Sequence, residues 1–219
     1  TMSGTQADAS ASLQSGADAV VHYISKACDD LLKAAPRRAT ALKDACTLTH
    51  NKLKACRSVD DVKGTEDECS ELAAQVIVTM GLACETKTAK FVSTAVDSLH
   101  KLVSCGFVHG RMPRGVPLPL AVLGQDAGAG AGARVKAADL VVAIIASCFV
   151  VPDPQVHLQI LKACLAVATM PACELHGAAL LNAVRTCFSI LLMEEVPVNE
   201  TTAKGTLRQI IHHVFKCYE

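Results

Sequence analysis

The segment PQVHLQILKACLAVAT, at residues 154–169, indicates the class of fold that this sequence forms. Its apolar residues recur at the three- and four-residue spacing of an α-helix, and they occupy more than one side of that helix. A helix that is apolar on several sides is buried between neighbours. The segment therefore predicts a middle helix in a stack of helical layers.

Helical spacing of apolar residues extends through most of the remaining chain. The stretches that show it are 20–31, 42–53, 72–80, 91–102, 135–151, 173–193 and 201–218. Thr65 and Glu68 match the capping box that begins a helix, and Gly106 is typical of a helix end. No stretch alternates apolar and polar residues convincingly, so a β-sheet is not expected.

The pattern amounts to about seven or eight helices in units of forty-odd residues, which is the repeat length of armadillo and HEAT proteins. The units resemble one another only weakly in sequence. We predict an all-α, armadillo/HEAT-like α-solenoid, and a closed helical bundle is the alternative.

Two segments lie outside this helical pattern. Residues 1–16 are rich in Ser, Ala and Gly, and we expect a flexible N-terminal tail whose first three residues resemble a tag remnant. Residues 108–134 are interrupted by Gly and Pro and include GQDAGAGAG at 124–132, so we expect a mobile surface loop. It does not match a phosphate-binding loop, because no Gly-Lys-Ser/Thr follows. We predict one helical domain over residues 17–219.

Charge and hydropathy patterning argue against two classes of partner. Lys and Arg number 21 and Asp and Glu number 21, whereas nucleic-acid-binding proteins show an excess of positive charge. The longest apolar run, LVVAIIASCFVV at 140–151, is well short of the roughly twenty residues that cross a bilayer. We therefore expect a cytoplasmic protein with no nucleic-acid partner and no transmembrane segment.

The potential ligand and nucleophile residues form no recognisable site. The eleven cysteines are all at least nine residues apart, and no two of the eight histidines are spaced i, i+4. We interpret the cysteines as reduced and mostly buried. No motif pairs two carboxylates in an apolar setting or activates a nucleophile. We predict no catalytic, cofactor or metal site, and a chain that is not an enzyme.

Three polar segments interrupt the apolar helices, at 97–102, 174–188 and 197–209. Each has a structural interpretation. Asn199 or Thr201 can cap a helix and Lys204 can be solvated, while Arg185 can extend from an apolar helix to a neighbouring helix end. The other interpretation is that the segments form a surface for a partner protein.

These segments carry a resemblance to the large BIG-class guanine-nucleotide exchange factors for Arf GTPases. The similar stretches are LHKLVSCGFVHG at 99–110, VHLQILKACLAVAT at 156–169, ELHGAALLNAVRTCFSILL at 174–192 and VNETTAKGTLRQIIHHVF at 198–215. They keep the family's order, and the resemblance covers roughly residues 75–219. Glu200, Gly205, Arg208 and the Gly-Ala insertion depart from the family pattern. The region resembled is the DCB domain (dimerisation and cyclophilin-binding).

The resemblance implies an armadillo-like fold and a regulatory, non-catalytic role in vesicle trafficking. The implied partners are a second DCB domain, the neighbouring HUS domain and an Arf-like small GTPase in its GTP form. That GTPase would recruit the protein to trans-Golgi membranes, so that membrane contact is indirect. No cofactor is implied.

Seven residues are candidates for the partner contact, and caps or interhelix bonds are the alternative role for the same residues. They are His100, Lys101, Asn199, Thr201, Thr202, Lys204 and Gln209. If the domain dimerises, an exposed apolar seam is expected as well. The alternative function is a generic α-solenoid scaffold that binds peptides or proteins without a GTPase. A groove lined by repeated Asn or Trp would favour it, but the sequence has no Trp.

Overall fold

The structure of the protein is a computed structural model that describes residues 3–56, 64, 65, 67–117, 119, 134–193 and 196–217, with side chains from residue 18 onward. Eight α-helices lie in this part of the chain. They are α1 (Ser3–Ala34), α2 (Thr40–Ala55), α3 (Glu71–Glu85), α4 (Ala89–Ser104), α5 (Ala137–Ser147), α6 (Pro154–Thr169), α7 (Gly177–Met193) and α8 (Pro197–Lys216). Short 3-10 turns at Cys148–Val150 and Pro171–Cys173 follow α5 and α6.

The helices stack in two layers. One layer consists of α1, α4, α6 and α8, each packed against the next, and the other consists of α2, α3, α5 and α7. Contacts between α1 and α2, α3 and α4, α5 and α6, and α7 and α8 join the layers. This arrangement is an α-solenoid, which confirms the predicted all-α fold.

The middle helix predicted from residues 154–169 is α6, and it packs against both α4 and α8. Ile160 and Leu161 are fully buried although adjacent side chains on a helix diverge by about 100°. Asp153 begins the helix, because its carboxylate accepts hydrogen bonds from the amides of Gln155 and Val156. The helix predicted at 154–169 is therefore confirmed with the same bounds.

Two predicted helix starts are wrong. Thr65 and Glu68 do not form a capping box; they pair across an isolated antiparallel bridge, and Ser70 caps α3 by accepting from the amide of Ala73 at 3.0 Å. The helix α8 begins at Pro197, four residues before the predicted start, with no side-chain cap. Proline at the first helical position removes one amide that would need a partner. Asn199 and Thr201 lie inside α8, so neither is the residue that precedes its first turn.

The first helix extends into the segment for which we expected a flexible tail. Its backbone is helical from Ser3 onward. The segment contains Ala at positions 7, 9 and 11, and Ala has the highest helix propensity of all residues.

The connection that precedes α3 is hydrogen-bonded to the connection that follows α4. Isolated bridges pair Glu68 with Arg111 and Arg111 with Lys136. Arg134 bonds Glu68 and also donates to the carbonyl of Met112 at 3.0 Å. Of the loop predicted at 108–134, residues 118 and 120–133 lie outside the described residues. Its described flanks form a bonded stem.

Gly110 allows this stem to form. Its φ is +59°, and a Cβ atom at this position would lie 2.6 Å from the carbonyl carbon of Asp67. Both the left-handed backbone and the close approach require glycine.

In the part of the chain that the structure covers, no helix is both long enough and apolar enough to cross a bilayer. The apolar run at 140–151 falls in α5 and its 3-10 turn, where residues 140–145 are all buried.

Candidate protein-interaction surfaces

Lys101, on α4, is bonded within the chain. Its Nζ atom lies 2.6 Å from Oδ2 of Asp97 and 3.1 Å from the centroid of the Tyr23 ring. The Tyr23 hydroxyl donates to the same carboxylate oxygen. Because Tyr23 belongs to α1, this cluster of three side chains joins two neighbouring helices of one layer.

The charges of this cluster stabilise one another. Burial alone would raise the pKa of Asp97, but hydrogen bonds from Lys101 and Tyr23 hold that pKa below its ordinary value. Burial opposes the charge of Lys101, and the bond to Asp97 raises its pKa nonetheless. The pKa of the Tyr23 hydroxyl is raised, first by burial and then by its bond to Asp97. The cluster is a bonded cation–carboxylate pair covered by an aromatic ring.

His100 lies beside this cluster and is half-buried. Burial lowers the pKa of its imidazole, and the nearby charge of Lys162 on α6 acts in the same direction. Its Nε2 atom lies 3.4 Å from the hydroxyl of Ser104, one turn further along α4. His100 thus lies on α4 within the electrostatic influence of Lys162 on the neighbouring helix α6.

The candidates on α8 divide into buried and exposed residues. Asn199 is buried, and its Nδ2 atom donates to the carbonyl of Pro154 at 2.8 Å, which joins α8 to the start of α6. Thr202 donates to the carbonyl of Val198 in its own helix at 2.7 Å. Thr201 and Gln209 are exposed.

Lys204 is exposed and pairs with Glu200 one turn earlier. Exposed pairs at this spacing contribute only about 0.3–0.5 kcal/mol to stability. The seven candidates therefore differ in their surroundings: Lys101, Asn199 and Thr202 bond other groups of the chain, His100 is half-buried, and Thr201, Lys204 and Gln209 are exposed.

A larger feature, the exposed apolar surface of the last helical pair, was expected only in general terms. Nine large apolar side chains are exposed among the described residues, and seven of them lie on α7 and α8. Those seven are Leu181, Phe188, Leu192, Met193, Val198, Ile211 and Phe215. An exposed apolar seam was expected on the condition that the domain dimerises; this surface has the character of such a seam, and dimerisation itself stays a prediction.

The helical spacing of these residues arranges them in two rows. Leu181, Phe188 and Leu192 are spaced i, i+7 and i+11 and lie along one side of α7. Ile211 and Phe215, spaced i and i+4, share one side of α8. We call this surface the end face. It comprises these five residues with Arg185 and Arg208, which lie in the same two rows.

An apolar groove of about 250 Å³ runs along the end face where α7 and α8 meet. Its walls include Leu180, Leu181, Val184, Ile211, Val214 and Phe215. The groove has room for one or two large side chains, and it is smaller than the roughly 300 Å³ at which small-molecule pockets begin.

Neither Ile211 nor Phe215 was expected at the surface from the sequence. Both belong to an apolar helical pattern that usually indicates core, and only the packing of α8 shows which of its apolar residues are left uncovered. The spacing of Arg208, Ile211 and Phe215 at i, i+3 and i+7 was the available signal. Arg185 is exposed in the middle of the row on α7.

No group of three or more His, Cys, Asp or Glu side chains could hold a metal ion within the described residues. All eleven cysteines are free thiols and eight of them are buried. Burial raises the pKa of Cys69 and that of Cys173 to about 12. These thiols are packed as small apolar groups, and their reactivity is suppressed.

Comparison with known proteins finds one matching family model and relatives that are guanine nucleotide-exchange proteins. The family described as Mon2/Sec7/BIG1-like, dimerisation and cyclophilin-binding domain matches residues 16–218. The mouse brefeldin A-inhibited guanine nucleotide-exchange protein 1 is 36% identical over 136 residues, which is 61% of this chain and 7% of the mouse protein. The yeast ADP-ribosylation factor guanine nucleotide-exchange factor SEC7 is 32% identical over 147 residues, 61% of this chain and 7% of the yeast protein.

A plant relative extends the similarity along most of the chain. The Arabidopsis thaliana brefeldin A-inhibited guanine nucleotide-exchange protein 1 is 28% identical over 207 residues, which cover 91% of this chain. The matched region is 11% of that protein, so this chain corresponds to a small part of each of these relatives.

Proposed function

The chain belongs to the Mon2/Sec7/BIG1-like dimerisation and cyclophilin-binding domain family, and we propose that it acts as a non-catalytic interaction domain of an exchange factor for Arf GTPases. In this role it regulates where and when nucleotide exchange occurs. The exchange reaction itself belongs to a domain other than this helical stack.

The observation that supports an interaction role most strongly is the end face. Its five large apolar side chains are exposed on one helical pair, and soluble monomeric proteins rarely expose contiguous apolar patches of large area. Self-association of the domain and contact with the HUS domain are the two contacts within the exchange factor that we propose.

We further propose a contact with an Arf-like GTPase. A GTPase in its GTP form presents ordered switch loops, so a surface that touches those loops prefers that form. His100 on α4 and Gln209 on α8 are candidates for this surface, because both helices belong to one layer with α6 between them. Thr201 and Lys204 are further exposed candidates on α8.

The remaining candidates have a structural role in this proposal. Lys101 joins α4 to α1, Asn199 joins α8 to α6, and Thr202 bonds its own helix. Removing any of them would affect partner binding only through the fold.

Recruitment by a GTPase would place the exchange factor at trans-Golgi membranes from the cytoplasm. Contact with the membrane is then indirect and depends on the state of the GTPase. The nucleotide on the GTPase, and not the lipid composition, sets the amount of domain on the membrane.

A vesicle experiment tests this proposal. The chain is sedimented with vesicles of neutral lipid that carry a tethered Golgi Arf-like GTPase, loaded either with a non-hydrolysable GTP analogue or with GDP. We expect the chain to sediment with the GTP form only and to stay in solution with bare vesicles. Equal sedimentation with both nucleotide forms, or with bare vesicles, would contradict GTPase-dependent recruitment.

A further inference from the structure

We propose that the end face binds an amphipathic α-helix whose apolar stripe is flanked by acidic residues. The inference rests on the proposed function in one respect only, that the chain is an interaction domain. It adds the place on the chain where one protein contact is made, and the chemistry of the partner segment that makes this contact.

The shape of the end face fits a helix. The groove lies between two helices, is lined by apolar side chains and has room for one or two large side chains. Apolar residues continue beyond it along α7, at Phe188 and Leu192. A partner helix that uses side chains at i, i+3/i+4 and i+7 makes contacts over such a length, as in other helix-in-groove complexes.

The positive charge of the end face favours a partner helix that carries acidic residues on either side of its apolar stripe. Leu181 and Ile211 line the same groove, and one turn from each, towards the middle of the end face, lie Arg185 and Arg208. Arg185 follows Leu181 and Arg208 precedes Ile211. Because α7 and α8 run in opposite directions, both arginines are displaced the same way along the groove, and their guanidinium groups lie at about the same position along it. Both side chains are exposed, and neither is bonded to a carboxylate of the described residues.

The only acidic residue of the described part of α7 and α8 is Glu200, and it pairs with Lys204. The cations at the middle of the end face are therefore not balanced by their own helices. Carboxylates beside the apolar stripe of a partner helix would meet these cations, and arginine forms bidentate bonds to carboxylates. A partner with basic flanks would be repelled there.

Two synthetic peptides probe this surface. Each has eighteen residues, with Leu at the spacing of one helical stripe, and the flanking positions are Glu in one peptide and Lys in the other. Their affinities for the chain are measured by fluorescence anisotropy at about 0.15 M salt, where charges are screened beyond about 8 Å. We expect the Glu peptide to bind at least tenfold more tightly than the Lys peptide. Equal affinities, or no binding of either peptide, would overturn the inference.

Matched variants locate the binding site. Leu181 and Leu48 are both 47% exposed, but Leu48 lies on α2, away from the end face. Leu181→Asp should weaken binding of the Glu peptide at least tenfold and Leu48→Asp should leave it unchanged. Arg185→Glu with Arg208→Glu should reverse the preference in favour of the Lys peptide. A loss that is equal in the Leu181 and Leu48 variants would place the site elsewhere.

A second copy of the chain is the competing occupant, and sedimentation velocity reveals it. A dimer that Leu181→Asp converts to monomer, together with no peptide binding by the wild-type chain, would show that a second copy covers the end face. The vesicle experiment tests the proposed function separately from this inference. A Leu181→Asp chain that has lost the peptide but still sediments with the GTP-form GTPase supports the inference and the proposed function independently.

Discussion

The ammonium group of Lys101 lies 3.1 Å from the centroid of the Tyr23 ring, so a residue of α4 is held over a residue of α1. The same ammonium group bonds Asp97 at 2.6 Å. A lysine within a stretch that resembles a family motif can thus serve the packing of the helical layer. A residue within such a motif is therefore not by itself evidence of a contact with a partner.

Lys101→Ala is expected to destabilise the fold. It removes the cation over the ring and one bond to Asp97, and we expect a loss of about 1–2 kcal/mol in the free energy of unfolding. In a chain of this length, each kcal/mol lowers the melting temperature by roughly 2–4 °C. Lys204→Ala is the matched control, because its exposed pair with Glu200 should contribute no more than about 0.5 kcal/mol. Equal melting temperatures for the two variants would contradict a structural role for Lys101.

Asp97→Asn is expected to reduce stability in a pH-dependent way. The pKa of Asp97 is lowered in the folded state, so the carboxylate stabilises the fold fully above its unfolded pKa of about 3.9. This contribution is lost as the pH falls through the folded pKa. The difference in unfolding free energy between wild type and variant should therefore be constant from about pH 7 to pH 5 and shrink towards pH 3. Denaturant unfolding at each pH measures it, and a difference that stays constant to pH 3 would refute the assignment.

Asn199→Ala should reduce the free energy of unfolding more than Gln209→Ala, which replaces an exposed residue of the same helix. The side chain of Asn199 is buried and bonds the carbonyl of Pro154, and we expect a loss of about 1–3 kcal/mol in unfolding free energy. Gln209 is exposed, and its replacement should stay within about 0.5 kcal/mol. Chemical denaturation of both variants is the measurement. An Asn199 variant as stable as the Gln209 variant would show that the interhelix bond contributes nothing.

Gly110→Ala and Gly106→Ala separate backbone strain from a steric clash. Both glycines have positive φ, +59° for Gly110 and +72° for Gly106, so both substitutions incur the roughly 1–2 kcal/mol cost of a left-handed alanine. Only at Gly110 would the new Cβ atom also meet the backbone of Asp67. We expect Gly110→Ala to be clearly the less stable variant in chemical unfolding. The reverse order would mean that the bonded stem does not hold the connection in place.

The fold could be predicted because its signal is periodic. The apolar residues of 154–169 occupy more than one side of the helix, and α6 is buried between α4 and α8 as that pattern requires. The helix starts were less predictable. Several residues near each start can accept a hydrogen bond, and the choice of Ser70 over Thr65 depends on the bridges that fix Glu68 to Arg111.

The candidate surfaces could be predicted only in part. Sequence spacing marks Lys101 and Asn199 as polar residues in apolar helices, but it does not show that Tyr23 and the carbonyl of Pro154 are their partners. Those partners are 78 and 45 residues away in sequence and meet only in the stack. The residues of the end face could not be predicted for the converse reason, since Phe215 has the helical spacing of a core residue and only the packing of α8 leaves its side chain exposed.

A calorimetric titration of the 219-residue chain with a Golgi Arf-like GTPase tests GTPase-dependent recruitment. The GTPase is loaded once with a non-hydrolysable GTP analogue and once with GDP. We predict saturable binding of the GTP form only, weakened about fivefold by Gln209→Ala, which removes about 1 kcal/mol of contact, and unchanged by Lys54→Ala on the opposite layer. Failure of the chain to bind the GTP form, or equal affinity for the two forms, would contradict the claim that this domain recruits its exchange factor through an activated GTPase.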